Sequence, residues 1–189
     1  MTRFMVVRHP FERILSAYRD KLEHREDREF YYRRYGREIV ISQRKGNSTY
    51  ANRAEPTFVE FLKYVVRTRI FDEHWRPFTA ECAPCDMKYQ IILKTESLEE
   101  EMLFLSTKLN LLDYLYTLNS TGWLLQNTNP HGRTEHKYAE QYYGQVPKQL
   151  LQQVYMLYEA DFRLFDYSPK KYFNFAPDNT KQEATGSFG

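Results

Sequence analysis

The first twenty-two residues contain the pattern that most constrains the fold. An uninterrupted apolar run over residues 4–7 is typical of a fully buried strand. Pro10 then stops sheet pairing and suits a helix entry. Apolar side chains recur afterwards at helical spacing, at Phe11, Ile14, Leu15, Tyr18 and Leu22. The sequence therefore predicts a buried strand, a tight turn and an amphipathic helix, which is the beginning of an α/β fold.

This strand-to-helix turn is a natural place for an anion. Ligands in open α/β sheets lie beyond the carboxyl ends of strands, and helix N-termini attract negative charge. Arg8 falls at the strand end and Ser16 lies in the helix. A guanidinium and a nearby hydroxyl suit a phosphate group. Taken alone, the two residues favour the simpler interpretation of a surface charge and a polar helix position.

Composition excludes several classes of protein. The 189 residues fit one domain, and 27 basic against 25 acidic residues give a net charge of +2, too balanced for a protein that coats nucleic acid. Two cysteines exclude a disulfide-rich scaffold, and no apolar run is long enough to span a membrane. With 16 Tyr, 13 Phe and only 7 Gly, we expect a tightly packed protein.

Further elements are predicted along the chain. Thr57 with Glu60, and Ser97 with Glu100, have the spacing of capping boxes at two helix starts. Gly36 is interpreted as a turn. Other predictions are a buried strand over residues 89–93, a long helix starting near Pro147, and a disordered tail over residues 176–189.

The string from Arg8 to Lys21 (RHPFERILSAYRDK) closely resembles the 3′-phosphate-binding motif of Golgi carbohydrate sulfotransferases. The likeness is greatest to the group of chondroitin and dermatan 4-O-sulfotransferases and the glucuronyl 3-O-sulfotransferase. It covers most of the chain in the same order. The other matching stretches are residues 30–40, 57–64, 72–77, 82–85, 89–99 and 138–167.

The resemblance implies a P-loop-like α/β sulfotransferase fold, with a parallel sheet flanked by helices. It also implies sulfuryl transfer from 3′-phosphoadenosine 5′-phosphosulfate to a glycan hydroxyl, without a metal. Arg8 and Ser16 would bind the 3′-phosphate, and Arg13 would support that site or pair with a carboxylate of its own helix. Arg133 and Thr134 resemble a loop near the nucleotide, with an ordinary surface loop as the alternative.

The residues that would bind and activate the glycan acceptor are less clearly indicated by the sequence. His74 is the preferred general base, because an imidazole titrates near neutral pH; the alternative is a structural histidine beside Trp75. His136 is a weaker candidate. Arg33, Arg34 and Arg37 are candidates for binding an acidic glycan, with a solvated helix face as the alternative.

A Golgi lumenal location, which the resemblance implies, bears on two further features. It favours a disulfide between Cys82 and Cys85 over thiols or a metal site. It is also compatible with glycosylation at the sequons of Asn47 and Asn119. The full-length form is expected to be a single-pass type II membrane protein whose anchor is outside this chain.

One departure from the family pattern stands out. No basic 5′-phosphosulfate loop is recognisable in these residues. We therefore expect residues 1–175 to form a partial sulfotransferase domain that lacks the first strand and that loop, and that has little or no activity alone. GalNAc 4-hydroxyl in chondroitin or dermatan is the first choice of acceptor, with glucuronyl and N-glycan acceptors open. The alternatives are a nucleotide phosphotransferase, for which the Gly-rich loop is missing, and a glycan-binding pseudoenzyme remnant.

Overall fold

A computed structural model describes residues 2–24, 26, 28–44, 55–113, 117 and 136–178. The described residues form two compact units. The sheet unit takes its residues from Met1–His9 and Phe78–Arg133, and the helical unit takes its residues from Pro10–Pro77 and Thr134–Gly189. No helix in the described part of the chain is both long enough and apolar enough to cross a membrane.

The sheet unit is built on two parallel strands, β1 (Phe4–Val7) and β2 (Ile91–Lys94). Their register aligns Phe4 with Ile91 and Val7 with Lys94. Ile91 and Leu93 of β2 form a small core with Leu105, which lies on a helix after β2. The strand at residues 4–7 is confirmed, and the second strand starts two residues later than the predicted range.

Three helices and a 3₁₀ turn are described within residues 78–108 of the sheet unit. They are α5 (Phe78–Glu81), α6 (Pro84–Met87), a 3₁₀ turn (Thr95–Ser97) and α7 (Leu98–Lys108).

The predicted capping box at Ser97 is wrong. The 3₁₀ turn leaves Ser97 outside the extended conformation of a capping residue, and its hydroxyl donates to Glu101 Oε1 at 2.7 Å. The other oxygen of Glu101 accepts from the backbone N–H of Lys94 at 2.9 Å. Glu101 rather than Glu100 therefore joins the end of β2 to α7.

The helical unit contains the larger core. In chain order its helices are α1 (Pro10–Lys21), α2 (Glu29–Tyr31), a π-helical turn (Tyr32–Gly36), α3 (Arg37–Gln43), α4 (Phe58–Thr68), α8 (His136–Tyr143), α9 (Lys148–Leu164) and α10 (Lys170–Phe175). The apolar face of α1 is buried as its spacing predicts. Phe11 lies at the centre of an aromatic cluster with Tyr143, Phe162 and Tyr172 at centroid distances of 4.9–5.4 Å. The mixed α/β class, with a parallel sheet and flanking helices, is confirmed.

Gly36 is helical rather than a turn residue, which corrects the prediction. Its φ and ψ are −56° and −45°, and it lies where the π-helical turn continues into α3. A Cβ at this position would lie 2.8 Å from Cδ2 of Tyr32. The glycine is therefore required by the close approach of the Tyr32 ring and not by a change of chain direction.

The C-terminal boundary of the core lies close to residue 176. Ala176 is buried beside α10, and the Lys148 backbone N–H donates to the Pro177 carbonyl at 3.4 Å. The rest of the predicted tail, from residue 179 onward, lies outside the described residues.

The capping box at the start of α4 is confirmed. Thr57 Oγ1 accepts from the Glu60 backbone N–H at 3.2 Å, and Glu60 Oε2 accepts from the Thr57 backbone N–H at 2.8 Å. Arg44 donates to both carboxylate oxygens of Glu60 at 2.7 and 2.8 Å. Burial alone would raise the pKa of Glu60, but these bonds from Arg44 and Thr57 outweigh it and lower that pKa.

We predict that Glu60→Gln removes part of the acid sensitivity of the fold. A carboxylate with a depressed folded-state pKa contributes stability above its unfolded pKa of about 4.3 and loses that contribution as the pH falls through its folded-state pKa. Glutamine retains the capping geometry but not the charge, so the variant should be roughly 1 kcal/mol less stable at pH 7. The difference should shrink below pH 4 in urea denaturation. Glu159→Gln is the control, since Glu159 is half exposed and 4.0 Å from Arg163; an equal loss there would contradict the prediction.

Candidate active site

The candidate site is built around a turn at residues 72–77 in the helical unit. Helix α4 ends at Thr68, and the left-handed backbone of the next residue, Arg69 (φ 56°), redirects the chain. The Asp72 carbonyl then accepts from the backbone N–H groups of Trp75, at 3.0 Å, and Arg76, at 2.8 Å. These two bonds close the turn on itself.

Trp75 anchors this turn in the core. Its side chain is 1% exposed and lies edge-on to Tyr35 and Phe61, with centroid distances of 5.0 and 5.4 Å. The indole N–H donates to the Ile70 carbonyl at 3.3 Å. The Tyr158 hydroxyl, also buried, donates to the Trp75 carbonyl. The indole N–H and the backbone carbonyl of Trp75 therefore both have hydrogen-bond partners, and the apolar surface of the ring is buried.

Arg13 binds the same turn from α1. Its two terminal guanidinium nitrogens donate to the Glu73 carbonyl, at 2.7 Å, and to the Arg76 carbonyl. The sequence analysis expected Arg13 to support a nucleotide site or to pair with Glu12 or Asp20. In the structure Asp20 binds Lys21 and Arg28 instead, at 2.7 and 3.0 Å. A planar guanidinium suits this forked contact with two carbonyls, so Arg13 is a structural link between α1 and the turn.

His74 is held at the surface of the turn by Asp72. The distance from His74 Nδ1 to Asp72 Oδ1 is 2.5 Å, and the same oxygen accepts from the His74 backbone N–H at 3.2 Å. Burial would raise the pKa of Asp72, but the bonds from the His74 ring and backbone and from Tyr35 outweigh it and lower that pKa. Asp72 is therefore an ionised acceptor at neutral pH.

The other ring nitrogen of His74 is available for chemistry. The side chain is 32% exposed, and Nε2 forms no hydrogen bond with any residue that the structure describes. The His74 ring lies edge-on to Tyr31 with a centroid distance of 5.7 Å, and the Tyr31 hydroxyl is 3.5 Å from Nδ1. A half-exposed imidazole with a carboxylate on Nδ1 is the arrangement of a general base.

A short polar chain connects Asp72 to an arginine-bearing helix. The Tyr35 hydroxyl donates to Asp72 Oδ2 at 3.2 Å and accepts from Arg34 Nε at 2.8 Å. One chain of hydrogen bonds therefore connects Arg34, Tyr35, Asp72 and His74, in that order. Arg34, one of the three predicted glycan-binding arginines, is thus part of this network.

Arg33 and Arg37 are exposed on the same helical segment. Arg33 is 78% exposed and pairs with Glu29 at 2.9 Å, and Arg37 begins α3. Phe30, 64% exposed, is an aromatic side chain on the surface of this segment. Asp72, Tyr35 and Tyr31 are not among the site residues predicted from the sequence. The spacing Asp-x-His at residues 72–74 was the available signal for Asp72, whereas Tyr35 comes from a distant part of the chain.

The predicted 3′-phosphate residues lie in different units. Arg8 follows β1 in the sheet unit and is half-buried; the adjacent His9 backbone N–H donates to Glu96 Oε1 at 2.7 Å. Ser16 is half-buried on α1 of the helical unit. Their joint role in donor binding remains a prediction from the sequence motif.

Other predicted residues fall outside the described part of the chain. These are Arg133, Thr134, Asn47 and Asn119, together with the side chain of His136 at the start of α8.

Cys82 and Cys85 are not joined by a disulfide in this structure. Cys82 follows α5 and is half-buried, whereas Cys85 is exposed within α6. Ala83 between them has a left-handed backbone, with φ of 41°. Cys82 therefore lies between α5 and α6 while Cys85 lies within α6, and no disulfide joins them, which differs from the predicted pairing.

Side-chain donor atoms of Asp72, Glu73 and His74 lie within 4.8 Å of one another, close enough to hold a cation. Asp72 and His74 are hydrogen-bonded to each other through Oδ1 and Nδ1. Glu73 is 73% exposed, with its carboxylate 3.9 Å from His74 Nδ1. The geometry is that of a carboxylate–imidazole pair with an exposed acidic neighbour.

Comparison with known proteins decides the family. The model of the sulfotransferase family matches residues 1–168. The chain belongs to the sulfotransferase family. It is 31% identical over 178 residues to carbohydrate sulfotransferase 11 of Mus musculus, covering 90% of this chain and 48% of that protein. It is 32% identical to carbohydrate sulfotransferase 12 of Xenopus laevis, over 88% of this chain and 40% of that protein. It is also 32% identical to carbohydrate sulfotransferase 8 of Homo sapiens, over 88% of this chain and 39% of that protein.

The chain thus spans about half or less of the length of the curated sulfotransferases it matches. No solved structure matches it significantly.

We predict that Arg13→Ala destabilises this sulfotransferase chain by about 1–3 kcal/mol, because two backbone carbonyls lose a charged donor. Urea denaturation measures the change. Arg33→Ala is the matched control and should cost under about 0.5 kcal/mol, since its partner is an exposed i,i+4 carboxylate. Arg13→Lys should recover only part of the loss, because an ammonium cannot reproduce the fork. Equal effects of Arg13→Ala and Arg33→Ala would contradict the structural role.

Proposed function

We propose that this chain carries donor- and acceptor-binding parts of a carbohydrate sulfotransferase. The reaction is transfer of a sulfuryl group from 3′-phosphoadenosine 5′-phosphosulfate to a glycan hydroxyl, with the GalNAc 4-hydroxyl of chondroitin or dermatan as the first acceptor. Family membership and the names of the relatives support a carbohydrate acceptor. The observation that carries the chemistry is the Asp72–His74 pair with Nε2 of the imidazole available.

In this proposal His74 is the general base. Its Nε2 takes the proton of the acceptor hydroxyl as the acceptor oxygen bonds to sulfur. The bond between sulfur and the 5′-phosphate oxygen breaks, and its electron pair stays on that oxygen, so that 3′-phosphoadenosine 5′-phosphate leaves. A positioned base of this kind contributes about 10²–10⁴-fold to a rate. Cationic side chains can neutralise the leaving phosphate, so we propose no metal.

Donor binding is assigned to Arg8 and Ser16 at the 3′-phosphate. Arg133 and Thr134 are proposed as a second contact with the nucleotide. The assignment of Arg8 and Ser16 rests on the sequence motif that begins at Arg8, and that of Arg133 and Thr134 rests on the likeness of their stretch to a family loop; both stretches lie inside the matched range. We expect little or no turnover from this chain alone, because its sequence contains no recognisable 5′-phosphosulfate loop.

Acceptor binding is assigned to Arg33, Arg34 and Arg37. All three side chains are exposed and lie on one continuous helical segment. Guanidinium groups form bidentate contacts with carboxylate and sulfate, the anionic groups of glycosaminoglycans. Arg34 is also two hydrogen bonds away from Asp72, which supports an acceptor position near His74.

The full-length protein is proposed to act on the lumenal face of the Golgi membrane. The family resemblance supports this location, and the two sequons in the sequence are compatible with it.

The donor site is tested by binding of 3′-phosphoadenosine 5′-phosphate to the purified chain, measured by calorimetry. Arg8→Ala should weaken binding about 10- to 100-fold, the effect of losing one charged hydrogen-bonding partner, and Ser16→Ala should weaken it less. Arg163→Ala is the control, since Arg163 is 79% exposed and pairs only weakly with Glu159. Unchanged affinity in the Arg8 variant would overturn the assignment. Turnover of labelled donor at a normal rate would contradict the expected low activity.

The acceptor surface is tested by binding of desulfated chondroitin. Arg34→Ala with Arg37→Ala should reduce the affinity and its dependence on salt, since two cationic contacts are lost. Arg67→Ala with Arg163→Ala is the matched control, because both of these arginines are exposed on other helices. Glycan binding without any nucleotide binding would favour the pseudoenzyme remnant over the enzyme.

A further inference from the structure

We propose that Asp72 is the positioning residue of this site: it fixes the His74 tautomer, so that Nδ1 carries the proton and Nε2 presents its lone pair to the acceptor. The inference rests on the proposed function for the role of His74, but the tautomer itself follows from the geometry of the pair. Which nitrogen of a neutral imidazole is protonated is set by the hydrogen bond that the other one makes.

The acceptor character of Asp72 decides the direction of the bond. An ionised carboxylate can only accept, so a contact of 2.5 Å from Nδ1 to Oδ1 requires the proton on Nδ1. Oδ1 also accepts from the His74 backbone N–H. One oxygen therefore fixes both the ring and the backbone of the same residue.

The second oxygen of Asp72 prevents rotation of the carboxylate. The Tyr35 hydroxyl donates to Oδ2, and Arg34 Nε donates to that hydroxyl. Because the arginine occupies a lone pair of the hydroxyl oxygen, the hydroxyl proton is left to point toward Asp72. Tyr35 itself is buried against Trp75.

The turn that carries the pair is also held. Arg13 binds the carbonyls of Glu73 and Arg76, and Tyr158 binds that of Trp75. The carbonyl groups on both sides of His74 thus have donors from α1 and α9. A base supported in this way keeps its orientation without help from the substrate.

Among the described residues, Glu73 and Tyr31 also approach the His74 ring, and Lys21 contacts Tyr31, but none of them replaces Asp72. The Glu73 carboxylate is 3.9 Å from Nδ1 and exposed to solvent. The Tyr31 hydroxyl, from α2, is 3.5 Å from Nδ1, too far for a strong bond. Lys21, from α1, lies over the Tyr31 ring at 5.0 Å and pairs with Asp20 at 2.7 Å. Asp72 is therefore the group in direct contact with the ring nitrogen.

The test is nitrogen NMR of the His74 ring in the full 189-residue chain, at a pH where this imidazole is neutral. The wild type should show the proton on Nδ1. Asp72→Asn should lose this preference and show the Nε2-protonated form, because an amide can donate as well as accept. Glu73→Gln, the matched loss of the neighbouring charge, should leave the wild-type tautomer. Asp72→Glu should restore the Nδ1-protonated form in part.

An unchanged tautomer in Asp72→Asn, or an equal change in Glu73→Gln, would overturn the proposal. If Asp72→Asn does not fold, Tyr35→Phe provides the second variant. It removes only the hydroxyl that orients Oδ2 and should produce a smaller shift in the same direction; no shift would count against the proposal.

This readout requires neither donor nor turnover. Failure of nucleotide binding would therefore overturn the proposed function while leaving the tautomer result intact, and a wrong tautomer would overturn the positioning role while leaving the nucleotide result intact.

Discussion

The burial of Trp75 beneath its own turn is the constraint on which the candidate site depends. The indole packs edge-on against rings from two other helical segments, and a hydroxyl from α9 donates to the backbone carbonyl of Trp75. With Trp75 directed into the core, the short closed turn leaves the preceding His74 half-exposed at the surface. The sequence analysis treated a structural histidine beside Trp75 and a general base as alternatives. The structure places His74 beside a structural tryptophan, with Trp75 as the anchor and His74 as the residue that the anchor positions.

The abundance of tyrosine has a related physical explanation. A buried tyrosine contributes a large apolar surface only if its hydroxyl finds a partner. In the helical unit the hydroxyls of Tyr18, Tyr143 and Tyr158 each donate to a backbone carbonyl from a distant part of the chain. Burial raises the pKa of Tyr143 and Tyr158 well above that of free tyrosine, so these hydroxyls remain donors at any ordinary pH. The aromatic side chains thus specify which segments pack together as well as filling the core.

The sequence predicted the local features well, and the reasons are local. The strand at 4–7, helix α1 and the Thr57–Glu60 box depend on periodicity and on side chains three or four residues apart. Ser97 has the same spacing, yet Glu101 competes for its hydroxyl, and a capping motif contains no information about that competitor. Gly36 was misread because the close approach of an aromatic ring and a change of chain direction both select glycine. Helices α8 and α10 were not predicted, since their apolar residues acquire a clear face only when packed against α1.

The candidate site shows the same division between local and distant information. His74 could be identified by residue type, but the side chains that hold its turn and its partner Asp72 come from α1, the π-helical turn and α9. Arg13 is the clearest case: the sequence left open whether it supports a phosphate site or pairs with a carboxylate of its own helix, and in the structure both of its terminal nitrogens donate to carbonyls of the turn that carries His74. One helix therefore holds a predicted donor-site residue, Ser16, and the support of the predicted base. Since α1 is buried along its apolar face, a displacement of this helix would move Ser16 and the His74 turn together. Helix α1 is therefore a physical link between Ser16 and the turn that carries His74.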